Sequence, residues 1–79
     1  MRLDKYLKVS RLIKRRTVAN EACDAGRVLV NGRAARASYD VKSGDELELQ
    51  FGQRTVKVRV LTVADNVGKA DASALYEEI

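Results

Sequence analysis

Seventy-nine residues at 46% hydrophobic content can build one small core; a single cysteine and no histidine exclude an internal disulfide and a zinc or iron site. The net charge of +4 hides a polarised chain: ten of the 15 Lys and Arg and three acids fall in the first 36 positions, a local +7, while the remainder carries five basic residues against eight acids, or −3. A cationic front suits a polyanion, whereas the missing histidine, the lack of a Gly-rich phosphate loop and the scattered acids speak against catalysis, so no enzyme activity, cofactor or metal is expected.

From the start of the chain, Leu3, Tyr6, Leu7 and Ser10 share one side of a helical wheel. Lys5, Lys8 and Arg11 share the other, with Arg2 at the boundary. This predicts an amphipathic first helix with a basic outer face. Ser10 is expected to cap a short second turn through Leu12 and Ile13. Arg15-Arg16-Thr17 reads as a further helix start with Thr17 as N-cap. The second helix is expected over Val18 to Ala25, burying Val18, Ala22 and Ala25 with Ala19 beside them. Cys23 flanks that stripe as a packing residue, and Gly26 suits the left-handed position that ends a helix.

Strands follow. Val28-Leu29-Val30, Asn31-Gly32 and Arg33-Ala34-Ala35 form a hairpin signal, because both central residues of a type I′ turn need positive φ. Ser43-Gly44-Asp45 marks a second turn. Beyond it Leu47, Leu49 and Phe51 alternate with Glu46, Glu48 and Gln50, and Val56, Val58 and Val60 alternate with Lys57 and Arg59. A two-residue turn at Gly52-Gln53 would set Leu49 against Val56 and Leu47 against Val58. The same register sets Glu48 against Lys57 and Glu46 against Arg59. Those two cations are then expected to be occupied, leaving the free charge on the helical front, Arg33 and Arg36. The tail, Asp71 to Ile79, reads as a short helix capped by Asp71, with Leu75 and Ile79 on one face and Glu77 and Glu78 exposed, forming a lid on the sheet. No apolar run reaches the length of a membrane span and the start lacks a signal-peptide core, so a cytoplasmic location without a membrane partner is expected.

The Ser10-Arg11 step, the Arg16-Thr17 helix start and the hairpin Gly26-Arg27-Val28-Leu29-Val30-Asn31-Gly32-Arg33 occur in the order found in the S-four domain, a small RNA-binding module, which the chain resembles. The resemblance implies an α+β fold of the αL type: N-terminal helices on a small, mainly antiparallel sheet, with a short C-terminal helix, residues 1–79 forming one domain. From Arg2 to Val28 the chain is further similar to a narrower group, the stand-alone RqcP (YabO) factors related to heat-shock protein fifteen. The heat-shock relative carries a long basic extension, whereas this sequence stops at Ile79, which favours the RqcP group. That resemblance implies binding to obstructed large ribosomal subunits through large-subunit ribosomal RNA and P-site peptidyl-tRNA, and cooperation with RqcH in tail elongation, as a monomer.

Within that expectation Arg2, Arg11 and Arg16 are the leading RNA contacts. Lys5, Lys8, Lys14, Arg15, Arg27, Arg33 and Arg36 are supporting ones, since guanidinium forks grip phosphates bidentately. Scarce aromatics argue for reading of shape and backbone rather than base stacking. Asn31 and Gly32 are expected to serve the turn, and Tyr6 and Tyr39 the core. Other functions open to this sequence are subunit assembly or translocation of stranded tRNA, or an adaptor docking an acidic protein. A DNA-binding helix-turn-helix is weaker, because Glu21 and Asp24 stand on the second helix.

Overall fold

The computed structural model describes residues 1–64 and 72–79. Two helices, α1 (Leu3–Val9) and α2 (Arg16–Asp24), precede strands β1 (Val28–Val30), β2 (Arg33–Ala34), β3 (Glu46–Phe51) and β4 (Arg54–Val60); a 3-10 turn at Ser73–Leu75 then leads into β5 (Tyr76–Glu78). The five strands form one sheet in the order β2-β1-β3-β4-β5, and every neighbouring pair is antiparallel. The α+β class predicted from sequence is what the chain adopts.

The core lies between the helices and one sheet face. Leu3, Tyr6 and Leu7 of α1 and Ala19 and Cys23 of α2 are buried with Val28 and Val30 of β1, Leu47 and Leu49 of β3, and Val58 and Val60 of β4. Each such aliphatic side chain removed from water contributes about 1.5–3 kcal/mol. Alternation sends Glu46, Glu48, Lys57 and Arg59 to the other face. The predicted register holds residue for residue: Leu47 opposes Val58, Leu49 opposes Val56, Glu46 opposes Arg59 and Glu48 opposes Lys57. The charged pairs close at 3.5 Å for Lys57 to Glu48 and 3.5 Å for Arg59 to Glu46. Gly52, at φ 61°, supplies the first central residue of the turn between them.

The first hairpin is also as expected. Asn31 and Gly32 take φ 52° and 84°, and Val30 pairs with Arg33 across them. Asn31 does more than turn: its Oδ1 accepts the Glu46 N–H at 3.0 Å and its Nδ2 donates to Asp45 Oδ1 at 3.2 Å, stitching the hairpin to β3.

Several local expectations are corrected. Ser10 ends α1 rather than starting a new turn: its hydroxyl donates back to Leu7 O at 3.3 Å. Thr17 is not the N-cap. Helix α2 begins two residues earlier than expected, at Arg16, with Arg15 in extended conformation before it and no side-chain cap. The buried stripe of α2 is Ala19 and Cys23, four apart, while Val18 is 47% exposed, Ala25 is exposed and Ala22 is only half-buried. The helix starts earlier and is rotated so that its four-residue spacing, not its largest aliphatic, faces α1. Gly26 does end α2, at φ 78°, with its N–H donating to Cys23 O at 3.0 Å and the Arg27 N–H to Ala22 O at 2.9 Å.

The tail is a strand, not a helix. After the single 3-10 turn, Tyr76, Glu77 and Glu78 pair with Val60, Arg59 and Val58. Leu75 is buried, but Ile79 is 51% exposed, so the two do not share a packed face. The expected cap, Asp71, lies outside the described residues. Pairing beats local helix propensity because β4 offers an open edge and Arg59 Nη1 meets Glu77 Oε1 at 2.7 Å.

Candidate nucleic-acid interface

The basic front is organised around a buried acid. Asp4 stands in the first turn of α1 and is 2% exposed. Its Oδ1 accepts the backbone N–H of Lys5 at 2.8 Å and Arg2 Nε at 3.1 Å. Its Oδ2 accepts Asn20 Nδ2 at 3.1 Å and Arg2 Nη2 at 3.4 Å, and faces Arg16 Nε at 3.4 Å. Burial alone would push this carboxyl up, but the donors from Arg2, Asn20, Arg16 and Lys5 outweigh it and hold the pKa at about 2. The carboxylate is therefore charged at every physiological pH and clamps both helices.

The expectation that these cations stand unneutralised is thus corrected in part. Arg2 and Arg16 share one carboxylate, which leaves a surplus of one positive charge between them. Their side chains nevertheless remain 50% and 48% exposed. Arg2 uses its Nε and Nη2 edge on Asp4, and Arg16 uses Nε; among the described residues no hydrogen bond or ion pair takes the Nη1–Nη2 end of Arg16 or Nη1 of Arg2. An open groove of about 360 Å³, lined by Asp4, Arg16, Thr17, Asn20 and Glu21, lies beside them.

Other predicted contacts distribute unevenly. Lys8 lies on the exposed face of α1 and Lys5 is half-buried. Arg11, Lys14 and Arg15 are all exposed on the connection between α1 and α2. Arg36 joins this end through the backbone. Its neighbour Ala37 accepts the Asp4 N–H on its carbonyl at 3.2 Å and donates its own N–H to Asp24 Oδ1 at 3.1 Å. Arg27, after α2, and Arg33, on the edge strand β2, are exposed but lie outside the cluster: among the described residues no hydrogen bond or ion pair links either to Asp4, Arg2 or Arg16. Among the described residues no salt bridge engages Lys8, Arg11, Lys14, Arg15, Arg27, Arg33 or Arg36.

Arg11 has a special backbone. At φ 64° it occupies the left-handed region, where a Cβ is unfavourable and glycine is usual. Its N–H donates to Lys8 O at 3.1 Å, and the reversal lets the Ile13 N–H reach Leu7 O at 3.1 Å while the Ile13 side chain drops into the core. Tyr6 is fully buried and donates its hydroxyl to Leu75 O at 2.7 Å; burial pushes its phenol up, so the proton stays in place. Tyr39 is half-buried and donates to Asp45 Oδ2 at 3.1 Å. Both serve structure. Cys23, buried, has its thiol pushed up to about 11 and is a packing residue.

Sequence reasoning missed Asp4 and Asn20. The wheel gave little signal: at 100° per residue Asp4 falls between Leu7 and Lys8, on the border of the basic face, so nothing in the period marks it as buried. Among the described residues no group of His, Cys, Asp and Glu is placed to hold a metal ion, and no helix is long and apolar enough to cross a membrane.

The pattern of the S4 domain matches residues 1–47, the stretch that carries α1, α2, the first hairpin and the whole Asp4 cluster. The chain belongs to the S4 domain family. Over its full length this S4 domain is similar to proteins named RQC P-site tRNA stabilizing factor. It is 58% identical to that of Halalkalibacterium halodurans over 98% of this chain and 88% of the relative, and 54% identical to that of Streptococcus pneumoniae over 100% and 90%. Among solved structures, heat shock protein 15 of Vibrio cholerae superposes with a TM-score of 0.92 at 31% identity, covering 100% of this chain and 81% of that one. The predicted S-four resemblance is therefore correct. That neighbour was solved as a trimer, whereas a monomer was expected here from sequence.

Proposed function

We propose that this S4 domain is a non-enzymatic RNA-binding factor of ribosome-associated quality control in the cytoplasm. It binds obstructed large ribosomal subunits through ribosomal RNA and P-site peptidyl-tRNA, and supports tail elongation with RqcH. The observation that carries the reading is the pair of half-exposed guanidiniums, Arg2 and Arg16, presented from the starts of α1 and α2 by one buried carboxylate in a chain similar end to end to RQC P-site tRNA stabilizing factors. Folded RNA displays phosphates at fixed spacing, and rigidly held forks suit them better than mobile lysines. In this reading the domain acts as a monomer. Arg2, Arg11 and Arg16 are its principal contacts; Lys5, Lys8, Lys14, Arg15, Arg27, Arg33 and Arg36 add supporting field.

The test is titration of the protein against large subunits bearing peptidyl-tRNA over a series of salt concentrations. Arg16→Ala should weaken binding and reduce the log–log salt slope by roughly 0.7–0.9, one phosphate's worth of released counterion. An Arg16→Ala variant with unaltered affinity and slope removes this residue from the interface. Wild-type protein that prefers subunits lacking peptidyl-tRNA overturns the assignment to stalled complexes.

A further inference from the structure

Asp4 is an acid in the middle of a surface read as binding a polyanion, and its charge alone opposes that binding. A buried carboxylate there needs a reason. Core packing is an insufficient one, since a buried ion pair seldom stabilises a fold more than apolar side chains of the same volume. The bonds it makes supply the reason. Oδ1 accepts a hydrogen bond from Nε of Arg2, the residue that precedes α1, at 3.1 Å, and Oδ2 forms an ion pair with Nε of Arg16, the first residue of α2, at 3.4 Å. The Asn20 amide holds Oδ2 from the next turn of α2 at 3.1 Å, and the Lys5 N–H holds Oδ1 at 2.8 Å, so the carboxylate itself cannot rotate.

We infer that Asp4 is the positioning residue of the RNA-binding surface: it fixes the Arg2 and Arg16 guanidiniums through their Nε edges so that their remaining Nη groups meet neighbouring phosphates in one rigid arrangement. This rests on the RNA-binding reading given above and names the residue that makes its contacts geometric rather than merely attractive. Asn20 supports Asp4 in turn. Freely rotating arginines would lose side-chain entropy on binding; here most of that order exists beforehand.

Substitution of Asp4 has a sign that separates the possibilities. Asp4→Asn removes a negative charge from the surface, so electrostatics alone makes it bind RNA more tightly. A purely structural Asp4 gives unchanged affinity in the folded fraction. Positioning predicts the opposite: Kd for large subunits bearing peptidyl-tRNA rises roughly tenfold. Glu21→Gln, which neutralises an exposed acid lining the same groove, is the control and should tighten binding slightly. Asp4→Glu keeps the charge but displaces the carboxylate, and should weaken binding as Asp4→Asn does. Circular dichroism reports the folded fraction of each variant.

If neither variant folds, the wild-type protein still decides. Its Arg2 and Arg16 Nε–H resonances should be resolved and slow to exchange with solvent, unlike those of Arg15 and Arg27. Equal or tighter binding by folded Asp4→Asn, or Nε–H exchange at the rate of an exposed arginine, overturns the inference while leaving RNA binding intact. Wild-type protein that fails to bind the subunits at all overturns the functional reading instead.

Discussion

Arg11 shows what a single residue can give up for its side chain. Its left-handed backbone is the kind of position glycine fills without strain, and Gly26, the corresponding residue after α2, does fill it. The cost of a Cβ there is about 1–2 kcal/mol, partly offset because glycine gains entropy in the unfolded chain. Arg11→Gly should therefore leave the domain as stable or raise its stability by up to about 1 kcal/mol, read from the urea midpoint. The same variant should bind obstructed subunits more weakly and with a shallower salt slope. Unchanged binding would mean that the cation at this turn has no contact to lose. The sequence showed Arg11 as a charge on a wheel; it could not show the turn, because the reversal depends on Ile13 finding the core. Asp4 was overlooked for a related reason. Its partner Arg16 lies on another helix, and no local period links the two.

At the scale of elements, legibility followed the number of independent signals. The β3–β4 register was readable since apolar pairs on one face and opposite charges on the other agree on a single alignment. Helix α2 was closed correctly at Gly26, but its start rested on Thr17 as a cap and its buried face on a stripe of small residues, and Val18 misled it. The tail was misread because Leu75 and Ile79 satisfy helical spacing, while the partner that decides, Arg59, is distant in sequence. Tyr6 joins these elements. Its hydroxyl donates to Leu75 O, which also takes the Leu61 N–H at 2.8 Å. Tyr6→Phe therefore removes one bond without orphaning the carbonyl, and should cost about 1 kcal/mol in denaturant unfolding. The amides of Tyr76 to Glu78 should exchange faster in that variant; unaffected exchange would show that β5 is held by pairing alone.

For the whole molecule, charge is sorted into two faces. The outer sheet face sets Glu46, Glu48 and Glu77 against Lys57 and Arg59, which occupies both cations and leaves a residual charge of −1. The helical end keeps the surplus. Acid should expose this arrangement. Asp4 titrates at about 2 when folded against an ordinary value near 4, and Asp40 is also lowered, by the hydrogen bond and charge of the terminal ammonium. Depressed carboxylates stabilise the fold above their unfolded pKa, and that stability is lost as pH falls through the folded value. Between about pH 4 and pH 2 the domain should lose on the order of 1–2 kcal/mol through Asp4, allowing for the half-exposed guanidiniums. Thermal melts followed by circular dichroism over that range check it, and Asp4→Asn should flatten the curve.

The bond from Tyr6 to Leu75 spans 69 positions of sequence, and with β5 seated against β4 it fastens the first helix to the last strand. A load applied at the arginines would therefore pass through α1 into the β4–β5 edge of the sheet. On the proposed RNA-binding role, such a body would serve as a wedge that holds its nucleic acid at a fixed angle.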